Sequence, residues 1–139
     1  MAVDTVNRTF PARDDGTQNV MTLRYEFNFN DGGISSGVKF GTIPQNAFIH
    51  SVDVEIITAF NAAGTNVVTS GSTATGTNIV AAADVDETTA GNYNVPRAAG
   101  RGLTANGDLS CYVRYTQTST AATTGKAQIV IRWSPPTAH

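Results

Sequence analysis

At 139 residues the chain has room for one domain, and a domain of that size buries about two-thirds of its unfolded surface, enough for an unstapled core. Charged residues make up only 14%, and nine Lys and Arg against eleven Asp and Glu leave a net charge of −2, a balance unsuited to a phosphate backbone. The single cysteine, Cys111, excludes an intrachain disulfide and a cysteine-based zinc site. No apolar run approaches the roughly 18 residues that span a bilayer, and residues 1–19 lack the apolar stretch of a signal peptide, so a soluble domain made in the cytoplasm is expected.

Residues 1–19 mix Arg8, Arg13, Asp14 and Asp15 with only Val3, Val6 and Phe10 as apolar anchors. Such a segment cannot pack by itself and reads as a tail, an edge strand or an extended N-terminal arm that orders on a partner. The domain is expected to occupy residues 20–139. In 20–29, Met21, Leu23, Tyr25, Phe27 and Phe29 alternate with Thr22, Arg24, Glu26 and Asn28, the period of a strand with one face in a core. Asn30-Asp31-Gly32-Gly33 closes it with residues that tolerate positive φ. A shorter strand is predicted over 37–43. A second long alternation follows over 51–60, with Val52, Val54, Ile56 and Phe60 on one face and Asp53 and Glu55 on the other. Further short strands are predicted at 66–70, 77–82 and 93–97. Residues 81–89 are the best helix candidate, held to one turn by β-branched residues and flanking glycines.

Leu109, Cys111, Val113 and Tyr115 alternate in one arm of a predicted hairpin, and Ala127, Ile129, Ile131 and Trp133 in the other. Its loop, 117–125, exceeds a tight turn, and Pro135-Pro136 ends the last strand. About eight strands with recurrent turn signals imply an all-β chain, a jelly-roll-like antiparallel β-sandwich, with an immunoglobulin-like sandwich as the rival. The face bearing Tyr25, Phe27 and Phe29 is expected to pack against the strands holding Ile129, Ile131 and Trp133, or their sheet-mates. The sequence does not order the strands.

Residues 61–77 and 116–124 are rich in Thr, Ala, Gly, Ser and Asn and carry no charge. Uncharged polar loops suit a close contact surface because no ions need desolvating, ordinary solvated loops being the alternative. Together with the N-terminal segment they supply the candidate interaction residues Arg8, Phe10, Arg13, Asn61, Thr65, Thr120 and Thr123.

Catalytic signals are weak. His139 is the last residue, and His50 precedes a strand with only Asp53 as a nearby carboxylate; no Gly-x-Ser-x-Gly elbow occurs. Gly100-Arg101-Gly102-Leu103-Thr104-Ala105 matches the dinucleotide fingerprint formally, but Asn106-Gly107-Asp108 and a strand follow where the mechanism needs a helix. Asp84, Asp86 and Glu87 form the one carboxylate cluster; an EF-hand needs more ligands and a central glycine, so a solvated acidic turn is expected. Asp53 and Glu55 read as solvated carboxylates on an outer sheet face, and Cys111 as a small buried hydrophobe. The expectation is a protein with no catalytic, cofactor-binding or metal-ligating residues, and not an enzyme.

Five phrases, Phe27-Asn28-Phe29-Asn30-Asp31-Gly32-Gly33, Phe40-Gly41-Thr42-Ile43-Pro44, Thr58-Ala59-Phe60-Asn61-Ala62, Asp84-Val85-Asp86-Glu87-Thr88-Thr89-Ala90-Gly91 and Tyr112-Val113-Arg114-Tyr115-Thr116-Gln117-Thr118, resemble the jelly-roll cement or decoration proteins of tailed bacteriophage capsids, nearest those of short-tailed phages. The resemblance covers residues 20–133 and none of the first nineteen. It implies a protein on the outer surface of the virion that clamps neighbouring major capsid protein subunits and stiffens the shell against internal DNA pressure. It also implies self-association, a homodimer ahead of a trimer, with no cofactor, no direct nucleic-acid contact and no membrane. The alternative is a carbohydrate-binding or host-recognition module, which would need exposed loop aromatics; Tyr93 is the one candidate.

Overall fold

The computed structural model describes residues 20–95 and 100–136. Among them are seven strands: β1 (Met21–Asn28), β2 (Val38–Ile43), β3 (Phe48–Thr58), β4 (Asn66–Gly71), β5 (Gly91–Val95), β6 (Leu109–Gln117) and β7 (Lys126–Ser134). They form two antiparallel sheets, in the orders β1-β7-β3-β5 and β2-β6-β4. The pairings nest: β1 with β7, β2 with β6, β3 with β5, and Ser70 at the end of β4 with Val80 through an isolated bridge. One long hairpin of chain, rolled up so that β7 also meets β3 and β6 also meets β4, generates this arrangement, which is the jelly roll.

Two predicted features take a different form. The strand expected over 77–82 shrinks to the Val80 bridge, followed by a single 3₁₀ turn at Ala82–Asp84. Gly71 and Gly76 stand too close for a side chain: a Cβ on Gly71 would lie 2.3 Å from the Gly76 carbonyl carbon. The chain therefore folds back on itself after β4, leaving too few residues in line for a full ladder. The predicted hairpin of 109–115 with 127–133 does not form either. β6 is the middle strand of one sheet, and β7 lies between β1 and β3 in the other. Alternation looks the same for lateral neighbours and for strands facing one another across a core, so residues 118–125 link the sheets instead.

Between the sheets lie Phe27, Val52, Val54, Ile56, Ile129 and Ile131 from one side, and Ile43, Val68, Leu109, Cys111, Val113 and Tyr115 from the other, all buried. Ile129 and Ile131 stand beside β1, opposite Tyr25 and Leu23 in the ladder. The β1 face itself packs across the sandwich, Tyr25 stacking on Phe40 of β2 at 5.6 Å. Met21, at the end of the alternation, stays 43% exposed.

Cys111 is fully enclosed, and burial pushes its thiol up to about 12. Because the thiolate is the reactive species, native protein is expected to resist alkylation at neutral pH and to react once unfolded. Rapid labelling of the folded protein, read by mass spectrometry, would contradict this burial.

Glu87 does part of the work of the missing strand. Only 6% exposed, it accepts the backbone N–H of Val68 in β4 at 2.7 Å, and its own carbonyl accepts the N–H of Phe60 at 2.9 Å. The expected solvated acidic turn is thus corrected at this residue: sheet-edge pairing carries the carboxylate inward. Loss of solvation raises its pKa above the ordinary 4.5, a rise the Val68 amide partly offsets. A carboxyl with a raised native pKa holds its proton more tightly folded than unfolded. Its contribution to stability is therefore full at low pH and is lost as pH rises from 4.5 through the raised value. Glu87→Gln keeps an acceptor and should abolish that component of the pH dependence. Glu87→Leu leaves the Val68 amide unpaired and should cost about 1–3 kcal/mol. Denaturant melts across pH distinguish the two; equal behaviour of both variants would sink this role.

Candidate interaction surface

The sandwich places the connections 59–65 and 118–125 at one end, where hydrogen bonds join them. Asn61 is the hub: its Oδ1 accepts the backbone N–H groups of Thr123 at 2.7 Å and Thr124 at 3.0 Å, and its Nδ2 donates to Thr123 Oγ1 at 2.9 Å. The Thr124 hydroxyl donates to the Ala59 carbonyl at 2.9 Å. The Ala63 N–H reaches the Thr120 carbonyl at 3.0 Å and the Gly64 N–H the Thr118 carbonyl at 3.1 Å. Thr65 N–H donates to Thr118 Oγ1 at 2.7 Å, and the two hydroxyls lie 3.0 Å apart.

The pair of loops rests on apolar packing and is braced from below. Phe60 is 1% exposed, with its ring 4.5 Å from that of Tyr115 and 6.4 Å from that of Phe27. Ala62 and Ala122, one in each loop, are buried as well. Tyr115 donates its hydroxyl to Asn66 Oδ1 at 2.6 Å; Asn66 also accepts the Ala62 N–H and donates to the Ala62 carbonyl. Gln117 Oε1 accepts the Ala122 N–H at 2.8 Å. Asn61, Thr65, Thr120 and Thr123 consequently share one exposed surface that is uncharged and internally cross-linked. Sequence reading singled out these four but not Asn66, Gln117 or Thr118, which hold them. The bonds that join the two loops link residues 53 apart, as between Thr65 and Thr118, and 63 apart, as between Asn61 and Thr124, so no local spacing announces that they meet. Arg8, Phe10 and Arg13 lie outside the described residues.

The other candidates disperse. His50 Nε2 hydrogen-bonds Ser134 Oγ at 2.6 Å, with the Phe48 ring edge-on at 5.1 Å. Asp53 is held instead by Arg132 Nη1 at 3.1 Å and Asn94 Nδ2 at 3.0 Å, and Glu55 by Gln128 Nε2 at 2.6 Å. These carboxylates line a depression on the outer face of the four-stranded sheet, each engaged by its own cross-strand donors. Asp84 caps the 3₁₀ turn through the Ala81 N–H at 2.9 Å. Asp86 accepts the Thr88 hydroxyl and amide, and the hydroxyls of Thr88 and Thr89 hold its carboxyl below the usual range. The three acids of 84–87 thus take separate partners. Residues 100–105 form turns, the Thr104 hydroxyl donating to the Ala47 carbonyl at 2.6 Å, and lead to β6 rather than to a helix. Tyr93 is half-buried, its hydroxyl donated to the Thr89 carbonyl at 2.8 Å.

No sequence-family model and no curated protein matches this chain. Its fold is similar to that of chains in three solved phage capsids. In the capsid asymmetric unit of cyanophage Pam1, the match covers 94% of each chain at 16% identity, with a TM-score of 0.59. In the acid-stable capsid of Helicobacter pylori bacteriophage KHP30, it covers 85% of this chain and 89% of the other at 16% identity, with a TM-score of 0.60. In the capsid of Ralstonia phage GP4, it covers 96% and 93% at 16% identity, with a TM-score of 0.63. At that identity the likeness establishes a shared fold.

Proposed function

We propose that this protein is a capsid cement or decoration protein: a non-enzymatic jelly roll that binds the outside of a phage head shell, clamps neighbouring major capsid protein subunits and stiffens the shell against packaged DNA. The observation that carries the reading is the cross-linked, uncharged double loop at one end of a fold shared with chains of phage capsids. A surface already ordered by its own hydrogen bonds loses little conformational entropy on docking, and without charges it sheds little hydration. Modest affinity per contact suffices, because copies bound to two neighbouring shell subunits gain from effective concentration. Residues 1–19, with Arg8, Phe10 and Arg13, hold too few apolar side chains to pack alone, and on this reading they reach a neighbouring subunit.

Co-sedimentation with head shells lacking this protein tests the reading, using the shells of the phage that encodes it and oligosaccharides as competitors. Saturable binding at a fixed ratio to the shell subunit, indifferent to sugar, is expected. Absence of binding, or release by oligosaccharide, would replace the cement role with a sugar-binding one.

A further inference from the structure

Four sheet edges exist among the described residues, and three are short, irregular or occupied. β5 has five residues. β2 is broken by a register shift between Lys39 and Gly41. β4 is met by the Val80 bridge and by the Glu87 carboxylate on the Val68 amide. β1 differs. Its eight residues pair with β7 without a shift, from Met21 opposite Trp133 to Asn28 opposite Lys126, and they include no glycine or proline. No described strand lies on its other side. A long, regular, open edge is a template for another strand.

The side chains of β1 select the occupant. On its outer face Arg24 is exposed and joins no ion pair among the described residues, while Glu26 keeps 44% side-chain exposure with Lys126 Nζ at 3.9 Å. We infer that the edge is occupied by β1 of a second copy of this chain, antiparallel about a two-fold axis at Tyr25. In that register Arg24 faces Glu26 of the second copy and Glu26 faces its Arg24, so both charge pairs form reciprocally. Thr22 faces Asn28 on the same side, and Leu23 faces Phe27 on the core side. A register must move by whole pleats to keep the core faces together. The neighbouring registers set Arg24 against Arg24 or Glu26 against Glu26, and like charges directly opposed are unfavourable. The interface is isologous, and the four-stranded sheets of the two copies join into one. The resemblance already implies a homodimer; what β1 adds is the edge, the register and the charge pairs that hold it.

Sedimentation equilibrium of the full chain without shells tests it, with far-UV circular dichroism confirming that each variant folds. The wild type is expected to be a dimer. Arg24→Glu converts both attractive pairs to repulsive ones and should weaken the dimer by at least about tenfold. Glu26→Arg should do the same, and the double reversal Arg24→Glu with Glu26→Arg should restore wild-type association. A trimer, a dimer indifferent to the single reversals, or a loss that the double reversal does not rescue would each overturn the inference. A full-length monomer would also overturn it, and protection from hydrogen exchange of the β1 amides that point away from β7 would then give the edge to residues 1–19.

Discussion

Phe60→Ala is expected to lower stability by about 3–5 kcal/mol, a large share of the roughly 5–15 kcal/mol that holds a domain together. The ring is buried where three things meet: the aromatic stack with Tyr115 and Phe27, the start of the 59–65 loop, and the end of the 118–125 loop. Its removal leaves a cavity that the Tyr115 strand β6, paired on both sides, cannot collapse to fill. Gly125 reports on the same site from the opposite direction. It is buried at φ +150°, and a Cβ there would stand 2.2 Å from Phe60 Cδ2. Gly125→Ala should therefore destabilise by overpacking, about 1–3 kcal/mol, and by less in the Phe60→Ala background, where the obstructing ring is gone. Urea melts of the wild type and the three variants complete the cycle. Strict additivity, or a cost for Phe60→Ala below about 1 kcal/mol, would show that the ring does not support the two loops.

The second large effect falls on binding rather than on folding. Thr120→Glu together with Thr123→Glu should leave the melting temperature nearly unchanged, since surface substitutions usually stay within about 0.5 kcal/mol each. The Thr120 contact to Ala63 uses the backbone carbonyl; Thr123 keeps its backbone bond to Asn61 and gives up only its hydroxyl as acceptor for Asn61 Nδ2, a part an exposed carboxylate also plays. On the proposed reading, the same pair should reduce apparent affinity for shells by at least about a hundredfold. Each docked copy would have to desolvate two carboxylates, and a loss at each contact compounds across a multivalent lattice. Ala105→Glu, in the exposed turn before β6, is the control and should bind as the wild type does. Equal loss in the control, or full binding by the double variant, would remove the loops from the interface.

Period-two alternation was sufficient to read β1, β3, β6 and β7 and the inward sets they carry, because each buries one face and the pattern is local. The start of β3 was missed by three residues. Phe48 and His50 point away from the core and interrupt the apolar count, and the irregular register between Ile49 and Ser51 breaks its phase. Strand order was not legible at all. Val113 and Ile129 obey the same alternation whether their strands share a ladder or face each other, and only the nested pairing of the whole chain separates those cases. Uncharged composition pointed to the right stretches of the candidate surface. What composition could not carry was the geometry: Asn61 meets Thr123 because β6 and β7 sit in different sheets and their connection must cross the same end as the β3–β4 loop. Glu87 escaped for the same reason, since its partner amide is on a strand edge that exists only once the expected strand at 77–82 fails to form.

Which way the molecule faces on a shell is measured directly by cryo-electron microscopy of heads saturated with the protein. The prediction is density on the outer surface, with residues 59–65 and 118–125 against the shell where neighbouring subunits meet. Density on the inner surface, or a jelly roll whose double loop points to solvent, would contradict it.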